Sequence, residues 1–212
     1  MSTKWNPEFG KAQFIELLMA TKRPGMDNVI KGLEKLGFFD APASTKFHSD
    51  FSGGLLYHSL QVYEQAMKIR EIEIALRPWT EELLPVDSVT ITALLHDVCK
   101  SEIYKVEFRN RKNDLGMWER YQTWKADYAH NPLGHGEKSV IRLLQMGLEL
   151  RLPEILAIRW HMGAWDLSSS HEAVGNFNEA CDTSPLVPVL MAADQLASRI
   201  SEHKEAEAED GK

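Results

Sequence analysis

The stretch LLHDVCK, residues 94–100, places a histidine, an aspartate and a lysine inside an otherwise apolar helical run. Buried ionisable groups are costly unless they are paired or bound to a metal. His96 and Asp97 are about 100° apart around a helix axis, so both can border one site. Lys100 follows His96 by four residues and Asp97 by three, so its ammonium can reach the same space. The cluster is therefore predicted to form one wall of a metal site.

Other polar residues interrupt apolar helical faces elsewhere in the chain. His58, His161 and Asp194 each lie three or four residues from apolar residues of the same helical stripe, and His135 stands where a helix begins. Taken alone, each histidine could be an ordinary core or loop residue. A carboxylate on a core-facing stripe is harder to satisfy, because it needs a cation or several donors. Imidazole and carboxylate suit divalent metals, and helical bundles build metal sites from inward side chains. The predicted ligand set is His58, His96, Asp97, His135, His161 and Asp194.

The elements that must position these residues are mainly helical. Apolar periodicity predicts helices over residues 14–20, 26–39, 87–100, 136–150, 153–162 and 186–201, and a long helix from residue 55. The pattern changes where Tyr104, Val106 and Phe108 alternate with charged residues, which is typical of a strand. A turn at KNDLG and a returning strand at MWERYQTW follow. We predict an all-α helical bundle with a small inserted β-hairpin at about 103–124.

The hairpin region differs in charge from the rest of the chain. Residues 100–125 contain seven Lys or Arg against four Asp or Glu, whereas the remainder contains 17 against 27. One interpretation is a basic, aromatic flap that binds a phosphorylated ligand and stacks on its base. The other is a solvated hairpin whose Tyr104, Val106 and Phe108 pack it against the domain. The sequence leaves both open.

Composition limits the classes of protein to which the chain can belong. The chain has 212 residues, of which 43% are apolar, and a net charge of −7, which argues against coating long nucleic acid. Two cysteines cannot form a disulfide framework, no apolar run is long enough to span a membrane, and MSTKWNPEFGKAQF lacks a secretory signal pattern. A cytoplasmic protein without membrane contact is expected. We expect N-terminal helices over 1–50, a main domain over 51–201 and a disordered tail over 202–212.

Three motifs resemble one family. GGLLYHSLQV around His58, LLHDVCK around His96 and Asp97, and MAADQLAS around Asp194 resemble the HD-domain superfamily of metal-dependent phosphohydrolases, an all-α fold. The resemblance covers roughly residues 50–200. Within this family, the chain is similar to bacterial stand-alone HD hydrolases and to the HD module of a 3′–5′ exoribonuclease. His135, in GHGEKS, and His161, in RWHMG, match the members that hold two metals.

The resemblance implies roles for these residues. His58, His96, Asp97 and Asp194 would hold a first ion, and Asp97 would bridge to a second ion completed by His135 and His161. One or two divalent ions per chain (Mn, Fe, Mg, Ni or Zn) are expected, because such ions lower the pKa of bound water to near 7. Asp97 and Lys100 are the expected catalytic residues, with Lys100 stabilising phosphoryl charge or protonating the leaving oxygen. Alternatively, Lys100 is a solvated lysine at a helix end.

The expected substrate is a phosphomonoester or phosphodiester in a nucleotide-like or other small phosphorylated molecule. Two further classes stay open. Some HD proteins with this ligand set carry two irons and activate O₂, and the ligand types alone do not separate iron from manganese. A non-catalytic module that binds a phosphorylated ligand is the other possibility. Metal content and ester hydrolysis distinguish the three.

Overall fold

The structure, a computed structural model, describes residues 5–46, 48–127, 129, 132–166 and 170–202. Helices make up most of this part of the chain, and one antiparallel sheet of two strands accompanies them. This confirms a mainly helical fold with a small hairpin. The α-helices and strands of the described residues are α1 (Pro7–Ala20), α2 (Met26–Leu36), α3 (Gly54–Leu76), α4 (Val86–Leu95), α5 (Lys100–Ile103), β1 (Tyr104–Lys112), β2 (Trp118–Ala126), α6 (His135–Gln145), α7 (Leu152–Trp160), α8 (His171–Thr183) and α9 (Leu186–Leu196).

The long helix α3 lies at the centre of the bundle. It packs against α4 and α9, while α7 packs against α6 and α9, and α1 contacts both α3 and α4. One apolar cluster contains Phe14, Leu55 and Leu94, and a second contains Val62 and Leu190. Since Leu55 and Val62 both lie on α3, the buried stripe of this helix passes from one cluster to the other. A polar side chain on this stripe between Leu55 and Val62 is therefore buried between the two apolar clusters.

Helix α4 ends earlier than the sequence predicted. It stops at Leu95, and residues 96–99 form tight turns before α5 begins at Lys100. The amide of Val98 donates to the carbonyl of Leu95, and the amide of Lys100 donates to that of Asp97, both three residues back. The amide of Cys99 instead donates to the hydroxyl of Ser139 on α6 at 3.2 Å. The His-Asp doublet therefore lies in a tightened segment held by a neighbouring helix.

The predicted hairpin is present and ends two residues later than expected. Strands β1 and β2 pair in register from Tyr104 opposite Ala126 to Lys112 opposite Trp118. The turn contains Gly116 at a φ of 74°, a left-handed conformation that glycine adopts without a steric penalty. Val106 and Phe108 are 51% and 53% exposed, so these two side chains do not pack the hairpin onto the domain.

Two further features differ from the sequence expectation. Helix α8 was not predicted, because its residues are polar on average and Ala180 is its one buried residue. Glu202, assigned to the disordered tail over 202–212, is buried, while the rest of that tail lies outside the described residues. None of the described helices combines the length and the apolar character needed to cross a lipid bilayer.

Candidate metal centre

The carboxylate of Asp97 lies at the centre of a buried polar cluster. Its Oδ2 atom faces the Nε2 atoms of His96 at 3.3 Å and His58 at 3.5 Å. Its Oδ1 atom faces the Nε2 atoms of His135 at 2.6 Å and His161 at 3.5 Å. The two oxygens thus divide the four imidazoles into two pairs. This division is what a carboxylate between two ion positions requires.

Five elements supply the predicted ligands. Helix α3 carries His58 and α9 carries Asp194, whose Oδ1 lies 3.2 Å from Nε2 of His58. The turn after α4 carries the His-Asp doublet, α6 begins at His135, and His161 follows the last residue of α7. The structure therefore brings together all six residues of the predicted ligand set.

The backbone fixes the orientation of two of the imidazoles. Nδ1 of His96 donates to the carbonyl of Ala93 at 2.9 Å, and Nδ1 of His161 donates to the carbonyl of Ile158 at 2.7 Å. A carbonyl oxygen only accepts, so Nδ1 carries the proton in both rings. The lone pair of a neutral ring then lies on Nε2, which points into the cluster. Metal-binding histidines have this arrangement, with the second nitrogen donating to a carbonyl or carboxylate.

Three buried nitrogen atoms in the cluster lack a hydrogen-bond partner among the described residues. They are the Nε2 atoms of His58, His96 and His161. A buried polar atom without a partner is costly, and native folds rarely retain one without a reason. His58, His96 and Asp194 offer ligand atoms within 4.8 Å of one another, and so do His96, Asp97 and His161. These buried groups could each hold a metal ion.

Electrostatics favour a cation in the cluster. Burial raises the pKa of a carboxylic acid, but Lys100 and His96 outweigh it and hold the pKa of Asp97 well below its usual range. Burial is likewise outweighed at Asp194, where the nearby imidazole of His58, with Nε2 at 3.2 Å from Oδ1, lowers the pKa. Both carboxylates are therefore ionised at neutral pH, and metal ions are one means of balancing their charge.

The pKa values of the cluster histidines are shifted in opposite directions. Burial lowers the pKa of His161 below its ordinary value. Burial also opposes a charge on His58, but the carboxylates of Asp194 and Asp97 outweigh it and raise its pKa well above the ordinary value. At His135, Cys99 and Asp97 overcome burial and raise the pKa to about 10. In the absence of a metal, protons on His58 and His135 balance the carboxylates, and a metal ion must displace them.

Lys100 is part of the cluster. Its Nζ lies 2.5 Å from Oδ2 of Asp97, and its side chain is only 11% exposed, so it is not a solvated lysine at a helix end. Burial opposes its charge, but the charge of Asp97 outweighs burial and raises the pKa of Lys100 above its ordinary value. The ammonium is therefore protonated throughout the neutral range.

Sequence reasoning missed one residue of the site. Oε1 of Glu202 accepts a hydrogen bond from Nδ1 of His58 at 2.7 Å, and its Oε2 accepts one from the hydroxyl of Ser49 at 2.5 Å. His48, whose ring centroid lies 4.9 Å from that of His58, completes a third group with metal-ligand chemistry. Because Nδ1 of His58 is engaged by Glu202, this group supports the orientation of His58. Nothing in the polar segment around Glu202 signalled its burial.

Comparison with known proteins gives no further support: no protein-family model, no curated protein and no solved structure matches this chain.

Proposed function

We propose that this chain is a metal-dependent phosphohydrolase of the HD-domain type, acting on a nucleotide-like or other small phosphorylated substrate. One observation carries the proposal. The Nε2 atoms of His58, His96 and His161 are buried, lack hydrogen-bond partners among the described residues and point at the carboxylate of Asp97. A divalent cation satisfies such a set of lone pairs and negative charges at the same time.

The two pairs of imidazoles suggest how ions would be shared. His58, His96 and Asp194 would hold one ion with Oδ2 of Asp97, and His135 and His161 would hold a second with Oδ1. When bound, divalent ions supply a nucleophile at neutral pH and polarise phosphoryl oxygens. The chain's own contribution is to fix the imidazoles through their Nδ1 atoms, so that the ligand positions form before a metal arrives.

Lys100 is proposed to stabilise charge on the phosphoryl group. Asp97 and neighbouring groups raise its pKa, so it keeps its proton at neutral pH. A group that holds its proton so firmly is a poor proton donor, which favours electrostatic stabilisation over protonation of the leaving oxygen. Its ammonium is already within the cluster and needs no rearrangement to act.

Solvent reaches part of the cluster. The side chains of Lys100, Asp194 and His135 are 11%, 11% and 19% exposed, whereas those of His58, His96 and His161 are fully buried. A phosphoryl group is therefore expected to enter beside Lys100 and His135.

The test combines metal analysis with turnover. Metal content is measured on the purified protein, and hydrolysis of p-nitrophenyl phosphate and bis-p-nitrophenyl phosphate is followed with added Mn²⁺. Asp97→Ala should lose both metal and turnover, and Asp97→Asn tests the charge with the shape kept. Asp182→Ala, an exposed aspartate on α8, is the matched control and should behave as wild type.

Each result has a defined meaning. Metal-dependent release that Asp97→Ala loses and Asp182→Ala keeps supports the proposal, and the preferred ester distinguishes a monoesterase from a diesterase. About two irons per chain with neither ester cleaved would replace it with oxygen chemistry. A folded protein that binds no divalent ion would overturn the metal site itself.

A further inference from the structure

The hairpin presents one face with an unusual composition. In an antiparallel pair, directly opposed residues point to the same side, so the register assigns every strand residue to a face. The face that begins with Tyr104 contains no Asp or Glu on either strand. We call it the stacking face; its principal members are Tyr104, Val106, Phe108, Lys112, Trp118 and Arg120.

Aromatic rings and cations alternate along the stacking face. The guanidinium of Arg120 lies 4.3 Å from the ring centroid of Phe108, and Nζ of Lys112 lies 5.7 Å from that of Trp118. Phe108 is 53% exposed and Trp118 is 71% exposed. Exposed rings with neighbouring cations suit a ligand that combines planar bases with negative charge.

The opposite face is different. There Arg109 pairs with Glu107 at 2.6 Å and Arg111 pairs with Glu119 at 2.6 Å. That face also carries Lys105 and Lys125, so its four cations and two carboxylates leave a net charge of +2, the same as that of the two cations on the stacking face. The stacking face differs because every charged residue on it is a cation, in a chain whose net charge is −7.

The stacking face begins at the proposed metal centre. Tyr104 directly follows α5 (Lys100–Ile103), and Nζ of Lys100, the first residue of that helix, lies 2.5 Å from Oδ2 of Asp97. A strand rises about 3.3 Å per residue, so the face extends about 26 Å from Tyr104 to the level of Lys112 and Trp118. A single nucleotide is too short to contact both the metal centre and Trp118.

We infer that the stacking face binds the bases of a short single-stranded nucleic acid whose end reaches the metal centre. Aromatic rings with neighbouring cations bind single strands in a largely sequence-independent way. The acidic remainder of the chain confines the strand to the hairpin. The binding stands on the hairpin alone; only the arrival of the strand end at a reactive site rests on the proposed function.

The test measures binding without turnover. Fluorescence anisotropy of a fluorescein-labelled 12-nucleotide oligodeoxythymidylate is recorded with the full chain in EDTA, at several salt concentrations. Trp118→Ala should weaken binding about tenfold or more, since one base loses its stacking partner. Trp79→Ala is the matched control, because Trp79 is 66% exposed and lies outside the hairpin, and it should bind as wild type.

A second pair of variants tests the charge. Arg120→Ala on the stacking face should weaken binding and reduce its salt dependence, whereas Arg109→Ala on the opposite face should do so much less. Trp118→Phe keeps a ring and should retain most of the affinity, which separates stacking from a general effect on the fold.

Three results would overturn the inference. They are no binding by the wild type, equal weakening by Trp118→Ala and Trp79→Ala, and a stacking face that is covered by a second copy of the chain. The third appears in sedimentation velocity as a dimer that Trp118→Ala converts to monomer, without oligonucleotide binding. Ester hydrolysis is assayed separately, so intact hydrolysis without oligonucleotide binding rejects only this inference, and binding without hydrolysis rejects only the proposed function.

Discussion

Nδ1 of His58 donates a hydrogen bond to Oε1 of Glu202 at 2.7 Å across 144 positions of the chain. The carboxylate itself is held by the hydroxyl of Ser49. The bond keeps a proton on Nδ1 of His58 and directs its Nε2 atom at the carboxylates of Asp97 and Asp194, so a metal ion that displaces the Nε2 proton would meet a lone pair there. Glu202 is therefore a positioning residue for the candidate metal centre, and it acts through His58.

Replacing Glu202 should weaken metal binding without abolishing it. Glu202→Gln keeps the shape but removes the negative charge, and its amide can donate to Nδ1 as well as accept from it, so the proton of His58 is no longer fixed on Nδ1. Loss of such a partner lowers metal affinity about 10–100-fold. The affinity for Mn²⁺ is measured by competition with a chelator. Turnover at saturating Mn²⁺ should recover most of the wild-type rate, which a merely unstable variant would not do. Glu64→Gln, exposed on α3, is the control, and equal affinities of the two variants would contradict the role.

The sequence predicted the residues at the centre of the site, but it did not predict Glu202, which positions His58. Helical spacing identified His58 and Asp194, because a polar side chain on an apolar stripe is visible as an interruption. Glu202 lies in a segment with few apolar residues, where no stripe exists to be interrupted. Its burial depends on contacts with His58 and Ser49 that only the tertiary fold creates.

Secondary structure was predicted correctly where a local pattern determines it and incorrectly where a tertiary contact does. Strict alternation from Tyr104 to Phe108 predicted β1 correctly, because a period of two residues is distinctive. The end of α4 was placed too late, since its apolar run continues through Val98 while the backbone tightens to place Asp97. The hydrogen bond from the amide of Cys99 to Ser139, 40 positions away, cannot be read from local sequence.

Variants of the imidazoles should separate the two ion positions. His96→Ala should abolish binding of both ions, since Nε2 of His96 belongs to both of the buried groups that could hold an ion. His135→Ala should leave one ion bound and reduce the number of ions per chain from two to one. Isothermal titration and elemental analysis give the stoichiometry. Equal stoichiometry in the two variants would show that the two positions are not distinct, and the exposed His171 supplies a control variant.

Lys100 should affect turnover more than metal content. Lys100→Ala removes a buried ammonium 2.5 Å from Asp97, and loss of one preorganised electrostatic contact lowers kcat about 10²–10³-fold. Metal content should stay near that of wild type, because Lys100 supplies no lone pair. The rate is compared with that of Lys105→Ala, an exposed lysine on β1. A rate within a factor of two of wild type would remove Lys100 from the proposed chemistry.

The stability of the metal-free protein should fall as pH rises. Carboxylates raise the pKa of His58, and Cys99 and Asp97 raise that of His135 to about 10. A histidine with a raised pKa contributes stability that is fully present below about 6.5, its unfolded value, and is lost as pH rises through the folded value. The free energy of unfolding should therefore decrease between pH 6.5 and 10.

Thermal denaturation in EDTA measures this dependence. We expect Tm to fall by several degrees over the interval, at about 2–4 °C per kcal/mol for a chain of this size. His135→Gln cannot hold the proton, so its profile should be flatter and its Tm lower at pH 6.5. A wild-type Tm that is constant or rises between pH 6.5 and 10 would contradict the assignment of protons to these histidines.

A buried ion pair away from the site should be essential for stability. The guanidinium of Arg23, between α1 and α2, donates to both oxygens of Glu154 at 2.7 Å, and Glu154 on α7 is fully buried. Arg23→Ala leaves that carboxylate buried without its cation, which costs about 3–5 kcal/mol. Urea denaturation measures the loss, and Lys31→Ala, exposed on α2, should stay within about 0.5 kcal/mol of wild type. Replacing both partners with apolar residues, as in Arg23→Met with Glu154→Leu, should recover part of the stability, because no unpaired charge remains. A single Arg23→Ala variant as stable as Lys31→Ala would show that Glu154 is neutral or solvated in the fold.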